Sequence, residues 1–342
     1  MSCRPRPADL PVGRRHRKAD IQAVRKRRPF EEKGTVNMEQ KLKKKRKGAN
    51  VSLVFTNRMY VFLIPALAFF LVLWVYPVLQ LFYYSVTDFN GINYDFDFVG
   101  MKNFIKIFEN GTLVNSIKNT LTYAVVVVFL SNVVGLSIAM ALNTRIRFKG
   151  IFRTCAYFPA LFSAIVVGFI WSYVYMPSAG MIASLLNAMG LDGSTFNPLG
   201  NFRIALFAIA IVEVWKGFGT TMIIYLAGLQ TVDESLLEAG RIDGCNEWQL
   251  TRLVKLPLIS STITINVILN VIAGLKAFDY AFIMTNGGPG KSTRTLMFQI
   301  YQIAFTDQKM GRASAFSVVA FFVIILITVF MLFFMNKREV EL

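Results

Sequence analysis

Residues Glu238–Pro257 read EAGRIDGCNEWQLTRLVKLP, a short polar stretch that lies between two long apolar ones. Before it runs Ile204–Leu229 and after it Leu258–Phe278, both nearly free of charge. A helix rising about 1.5 Å per residue crosses a hydrocarbon layer about 30 Å thick with about 20 such residues. Moving outward along the chain, four more runs have that character: Tyr60–Val86, Thr120–Leu142, Ile151–Met176 and Ala315–Met335. Apolar residues make up 54% of the 342 residues, and a soluble helical core has no need of six runs this long. The expected fold is an all-α membrane protein with six transmembrane helices.

Lys and Arg concentrate on the cytoplasmic side of membrane proteins. With the N-terminus inside, the inner connections carry Arg145, Arg147, Lys149, Arg241, Arg252, Lys255, Lys337 and Arg338. The first outer loop has only Lys102, Lys106 and Lys118, and the second, Pro177–Arg203, has Arg203 alone at its end. The third, Asp279–Ser314, runs against the trend with Lys291, Arg294, Lys309 and Arg312. The balance places both termini inside, in the cell membrane.

The formal net charge of +17 is unevenly spread: residues 1–50 contribute +12 of it. The run Lys41–Lys47, just before the first span, suits anionic lipid rather than nucleic acid. Residues 1–55 read as a basic, disordered cytoplasmic tail, followed by a six-span domain over 56–342. Met38 opens an ordinary short lead into the first span, so translation is expected to start there, leaving 1–37 untranslated. Cys3, Cys155 and Cys245 have neither disulfide nor metal spacing, and the single His16 lies in the tail. No catalytic residue, metal or cofactor is expected.

Two segments between spans read as short amphipathic helices at the outer interface, one within Thr87–Asn119 and one in PSAGMIASLLNAMGL after the third span. Tyr60, Trp74, Tyr76, Trp171, Tyr173 and Tyr175 flank spans, as an interfacial aromatic belt requires.

The stretch at Glu238 folds differently. Asp233 can cap a helix through Glu234–Arg241, Gly244 supplies a break, and a second helix fits Glu247–Leu253, closed before Pro257. The resulting knob carries Leu236, Leu237, Ile242, Trp248, Leu250 and Leu253, more apolar surface than a solvated connector needs. It either packs on its own spans or docks into a partner.

Glu238-Ala239-Gly240, then Asp243-Gly244 and Leu256-Pro257, resembles the EAA loop of membrane subunits in binding-protein-dependent ABC importers. Gly240 stands where that pattern has its second alanine, which lowers local helix stability by about 1 kcal/mol. Ile242–Gly244 and Trp248-Gln249 are similar to the sugar-transporting branch. So are Phe98–Phe104, Asn119-Thr120, Trp215–Gly217, Leu226–Gln230 and Phe278-Asp279 with TNGGPGKST at Thr285–Thr293. The resemblance covers about residues 55–342, to the first of two permeases in maltose, glycerol-phosphate and multiple-sugar systems.

What it implies is a set of partners: a second permease forming a heterodimer, a cytoplasmic ATPase dimer, an extracytoplasmic sugar-binding protein and a carbohydrate substrate. Glu238 then makes a charged contact with the ATPase, Gly244 permits the turn, and Leu256-Pro257 fix where the knob rejoins span five. Against this, Glu238 could be a surface carboxylate with no partner. Gly290-Lys291-Ser292 imitates the end of a phosphate-binding loop, but such a loop needs glycine at position 285, which is threonine.

Charged residues inside a span usually face a bundle interior or an aqueous cavity. Span four carries Glu213 and Lys216, three apart on one face, which Gly217 and Thr220 continue. The resemblance points to this stripe as the substrate path, with Ala273, Gly274 and Ala277 as its small-residue counterpart on span five. A Glu–Lys pair neutralising itself between packed helices is the alternative. Asn266 and Asn270 could bind sugar hydroxyls or tie helices together. An ion-coupled secondary transporter is the competing function, but it calls for carboxylate relays, and Glu213 is the only acid deep in any of the six runs.

Overall fold

The computed structural model describes residues 57–336 apart from Tyr94, Asn110 and Arg145. The basic tail, Met38, Cys3, His16, Lys337 and Arg338 lie outside the described residues. The chain divides into two units, one ending at Pro77 and the other starting at Val78. Of the first unit, helix α1 (Asn57–Phe70) and a π-helical turn (Leu71–Val75) are described, and their described side chains are mostly exposed. Helix α2 (Tyr76–Ser85) follows in direct continuation.

The second unit goes on with α3 (Lys102–Glu109), α4 (Thr112–Leu142), α5 (Lys149–Tyr157), α6 (Ala164–Val174), α7 (Met181–Ala188) and α8 (Ala205–Gln230). The knob contributes α9 (Glu234–Ile242) and α10 (Glu247–Leu250), leading through α11 (Leu256–Leu258) into α12 (Ser260–Leu275). Then come α13 (Asp279–Ile283), α14 (Leu296–Tyr301) and α15 (Met310–Asn336). Among the described residues there is no β-strand, only one antiparallel bridge, Thr87 to Phe98. A helix satisfies its own backbone hydrogen bonds, which lipid cannot do for it.

Among the described residues, five helical stretches are long and apolar enough to cross a membrane, or six if one bent pair is a single span. That pair, Lys149–Leu161 with Ala164–Val174, covers most of the stretch Ile151–Met176 expected as a single span. It is α5 with a 3₁₀ turn (Phe158–Leu161), then α6, bent by 97° as a broken span or a re-entrant hairpin. The sequence supplies the cause. Pro159 has no N–H to donate, and Ser163 leaves the helix to cap α6 by accepting from the Val166 N–H at 3.4 Å.

The centre of the unit is the pairing of α4 with α8. Tyr123 and Val127 pack with Ile209 and Val212 at one end, and Ala139 and Leu142 with Met222 and Leu226 at the other, so the two helices run in the same direction. Small residues set their neighbours' distances, as is usual in membranes. A Cβ on Gly274 would stand 2.7 Å from Ala124 Cα, and one on Gly219 would stand 2.4 Å from the Ala156 carbonyl oxygen. The two amphipathic segments are present as α3 and α7.

The aromatic belt needs correction. Trp74, Tyr76 and Tyr173 are exposed, but Tyr175 is buried with its hydroxyl toward the Ala208 carbonyl, and Trp171 packs edge-on to Trp215 with centroids 5.5 Å apart. Both rings pack into the cluster that α6 shares with α8.

Candidate functional site

The knob is built by local bonds. Asp233 caps α9 by accepting from the Ser235 N–H at 3.0 Å, a contact that holds its carboxyl below the usual carboxylate range. The cap is therefore present above that range and lost only as pH falls through the lowered value. Gly244 turns the chain at φ +84°, the left-handed region that glycine adopts without penalty. Asn246 and Gln249 then form a reciprocal capping box at the start of α10. Glu247 braces both arms, bonding Arg241 Nε at 3.0 Å and lying 3.8 Å from Lys255 Nζ.

Inside the knob sits Leu250, fully buried. A Cβ on Gly240 would come within 2.6 Å of its Cδ2, so the glycine in the alanine position makes room for this leucine. On the outside, Ile242 is 87% and Trp248 71% exposed, with Leu236 and Leu253 also exposed. Glu238 and Ala239 are exposed on α9, as is Asp243 at its end.

The second arm does not close before Pro257 as expected. From α10 the chain enters a π-helical turn, Thr251–Lys255, and the helical path continues through Leu256-Pro257 in α11. The wider turn lets the Leu256 N–H reach the Thr251 carbonyl, and Ile259 N–H returns to Lys255 O at 3.1 Å. Proline costs nothing at the start of a new helical turn.

The second candidate region is the polar stripe of α8. Glu213 is half-buried and meets Tyr123 of α4, whose hydroxyl donates to it, while Lys216 and Asp279 lie within electrostatic reach. Gly217 borders open space and Thr220 is exposed, so the stripe widens along the helix. Of the counterpart residues, Ala273 is exposed on α12 and Gly274 is enclosed there against α4, whereas Ala277, in the break after α12, is partly covered.

Asn266 and Asn270 are both engaged with Thr221: Asn266 Nδ2 donates to its carbonyl at 3.3 Å and Asn270 Nδ2 to its hydroxyl at 3.1 Å. They tie α12 to α8. Sequence reasoning missed Tyr123, Asp279 and Tyr280. The fifth apolar helix extends to Ile283 and so takes in Asp279, which the run ending at Phe278 left out. Tyr280 is 2% exposed, and its hydroxyl has no hydrogen-bond partner. No periodicity in α4 marks Tyr123 as Glu213's neighbour, since the two are far apart in sequence.

Motifs distant in sequence meet at the other end of the unit. Asn119 Nδ2 donates to the carbonyls of Lys291 and Arg294, and the Thr120 hydroxyl accepts from Leu296 N–H. Within TNGGPGKST, the Thr285 and Thr293 hydroxyls are 2.7 Å apart and Thr293 donates to Gly288 O. The threonine that replaces the phosphate-loop glycine is thus a structural pin.

Membrane-length helices around a buried polar cluster, with an exposed helical knob between two of them, define the membrane subunit of a transporter. The chain belongs to the binding-protein-dependent transport system inner membrane component family, whose sequence pattern matches residues 131–337. It is 34% identical over 283 residues to a protein of Thermoanaerobacterium thermosulfurigenes named as a probable starch degradation products transport system permease, AmyD, covering 83% of this chain and 95% of that one. It is 33% identical over 284 residues to the multiple sugar-binding transport system permease MsmF of Streptococcus mutans serotype c, covering 82% and 96%. A solved bacterial ABC transporter involved in import of the acidic polysaccharide alginate contains a chain of the same fold, with TM-score 0.72 at 20% identity over 85% of this chain and 99% of that one. Membership in this family leaves no ground for the ion-coupled alternative.

Proposed function

We propose that this chain is one half of a heterodimeric sugar import channel in the cell membrane, moved by a separate cytoplasmic ATPase dimer. Six spans, the third one bent, with both termini inside, fit the distribution of Lys and Arg. The observation that carries the coupling role is the knob: a braced, tightly capped unit that leaves Ile242 and Trp248 in solvent. Large apolar groups on a rigid projection mark a docking surface. Ile242, Trp248 and Leu253 enter a cleft of the ATPase, Glu238 adds a charged contact there, Ala239, Gly240, Asp243 and Gly244 keep the knob compact, and Leu256-Pro257 pass its motion into α12.

The substrate path runs along Glu213, Lys216, Gly217 and Thr220, facing Ala273 and Ala277, while Gly274 lets α12 approach α4. An extracytoplasmic binding protein delivers the sugar. Relatives named for starch degradation products and for multiple sugars support a carbohydrate, and hydroxyl recognition suits Tyr123, Glu213 and Thr220. The basic residues 1–55 serve as a cytoplasmic lead into the first span. Co-purification tests the assembly: the affinity-tagged chain should bring down an ATPase and a second permease, and vesicles holding the complex should take up sugar only with ATP and binding protein. Uptake by this chain alone would end the proposal.

A further inference from the structure

Four cations on the outward segments have no part in coupling or in the substrate path: Lys102, Lys106, Lys309 and Arg312. The charge asymmetry of membrane proteins disfavours them there. The structure brings all four to one place. Lys102 and Lys106 are one turn apart on α3, Lys309 and Arg312 stand at the start of α15, and both pairs line a single cleft of about 170 Å³.

The cleft is a built feature. Asn103 Nδ2 fastens α3 to the carbonyls of Ser85 and Thr87 at 3.0 and 2.7 Å, and Gly311 N–H fastens α15 to the Phe89 carbonyl at 2.7 Å. Asp88 is the one acid lining it, and its carboxylate accepts from Asp97 N–H at 2.7 Å. Arg312 Nε is sealed from solvent without a hydrogen-bond partner. A buried guanidinium N–H left unpaired is costly, and an anion would relieve it.

We infer that this cleft binds the phosphate group of an anionic phospholipid in the outer leaflet. The aromatic rings beside it favour lipid over an acidic protein surface. Phe89, which lines the cleft, stacks on Tyr84 with centroids 4.5 Å apart, and Phe96 and Tyr83 join the same ring cluster. Such rings collect at headgroup level. Further along α15, Phe321 and Phe322 are exposed beside Phe82, an apolar flank for the acyl chains. The inference rests on the proposed orientation, with the start of α15 facing outward, and not on the identity of the sugar.

The test uses the assembled transporter in mild detergent, exposed to phosphatidylglycerol or phosphatidylcholine, with retained lipid counted by native mass spectrometry. The wild type should retain phosphatidylglycerol in preference, and the double variant Lys309→Gln, Arg312→Gln should lower that retention about tenfold or more, as the loss of two basic contacts implies. Lys102→Gln, at an exposed position of α3, gives a smaller loss in the same direction if the double variant does not assemble. Equal retention of the two lipids, or retention unchanged in the variants, overturns the inference. Release of the lipid by millimolar inorganic phosphate, with phosphate itself retained, reassigns the site to a free anion. Weaker docking of the binding protein with lipid retention intact reassigns it to an acidic partner surface. ATP-driven uptake is read separately, so a failed lipid result leaves the transport reading standing.

Discussion

The knob and the α8 stripe both set charged groups against apolar chain, by opposite constructions. The knob keeps its charges in solvent and holds its shape with contacts between near neighbours: Asp233 to Ser235, Asn246 to Gln249, Glu247 to Arg241. The stripe draws Glu213 inward and meets it with Tyr123, from a helix ninety residues earlier in the chain. One is a self-contained part that can present itself to another protein. The other exists only once α4, α8 and the fifth span have packed.

Four substitutions can break or sharpen that contrast. The largest effect is expected from Gly219→Leu, where the new side chain meets the backbone at Ala156. Overpacking of about 3 kcal/mol should remove most folded protein from the membrane and lower the unfolding temperature of the remainder. Next is Trp248→Asp, which should leave a stable membrane protein but weaken ATPase co-purification by about 2 kcal/mol, roughly thirtyfold. Intact coupling in this variant would mean that the exposed ring is not the docking surface.

Glu213→Gln should spare assembly and ATPase binding while cutting sugar uptake roughly tenfold, the value of one charged hydrogen bond. Normal uptake would remove the stripe from the path, and loss of assembly would make Glu213 a packing residue. The smallest effect belongs to Gly240→Ala. Helix propensity favours the change by about 1 kcal/mol, and displacement of the Leu250 methyl group offsets it. Thermal melting of the complex should move by only a few degrees either way.

The same contrast explains what the sequence disclosed. Asp233, Gly244 and the apolar excess on the knob are legible because caps and turns depend on adjacent residues. Long apolar runs are legible because lipid demands helices. The bend at Pro159–Ser163 was open to reading from the proline alone, but the apolar run concealed it. Tyr123 beside Glu213, Asn119 beside Lys291 and the inward turn of Trp171 depend on tertiary packing. For Asn266 the sequence leaves a ligand contact open beside the favoured helix tie, and only packing places the Thr221 carbonyl next to it.

The π-helical turn at Thr251–Lys255 makes the route from α10 to α12 helical almost without interruption. A slack linker would absorb a shove on the knob within its own bending. A coiled rod transmits torque, so on the proposed coupling role a few degrees of tilt at Trp248 would swing the far end of α12, where Ala273 sits. On that proposal the wide turn is the elbow of a crank, and stiffness there would set how much of each stroke reaches the substrate path.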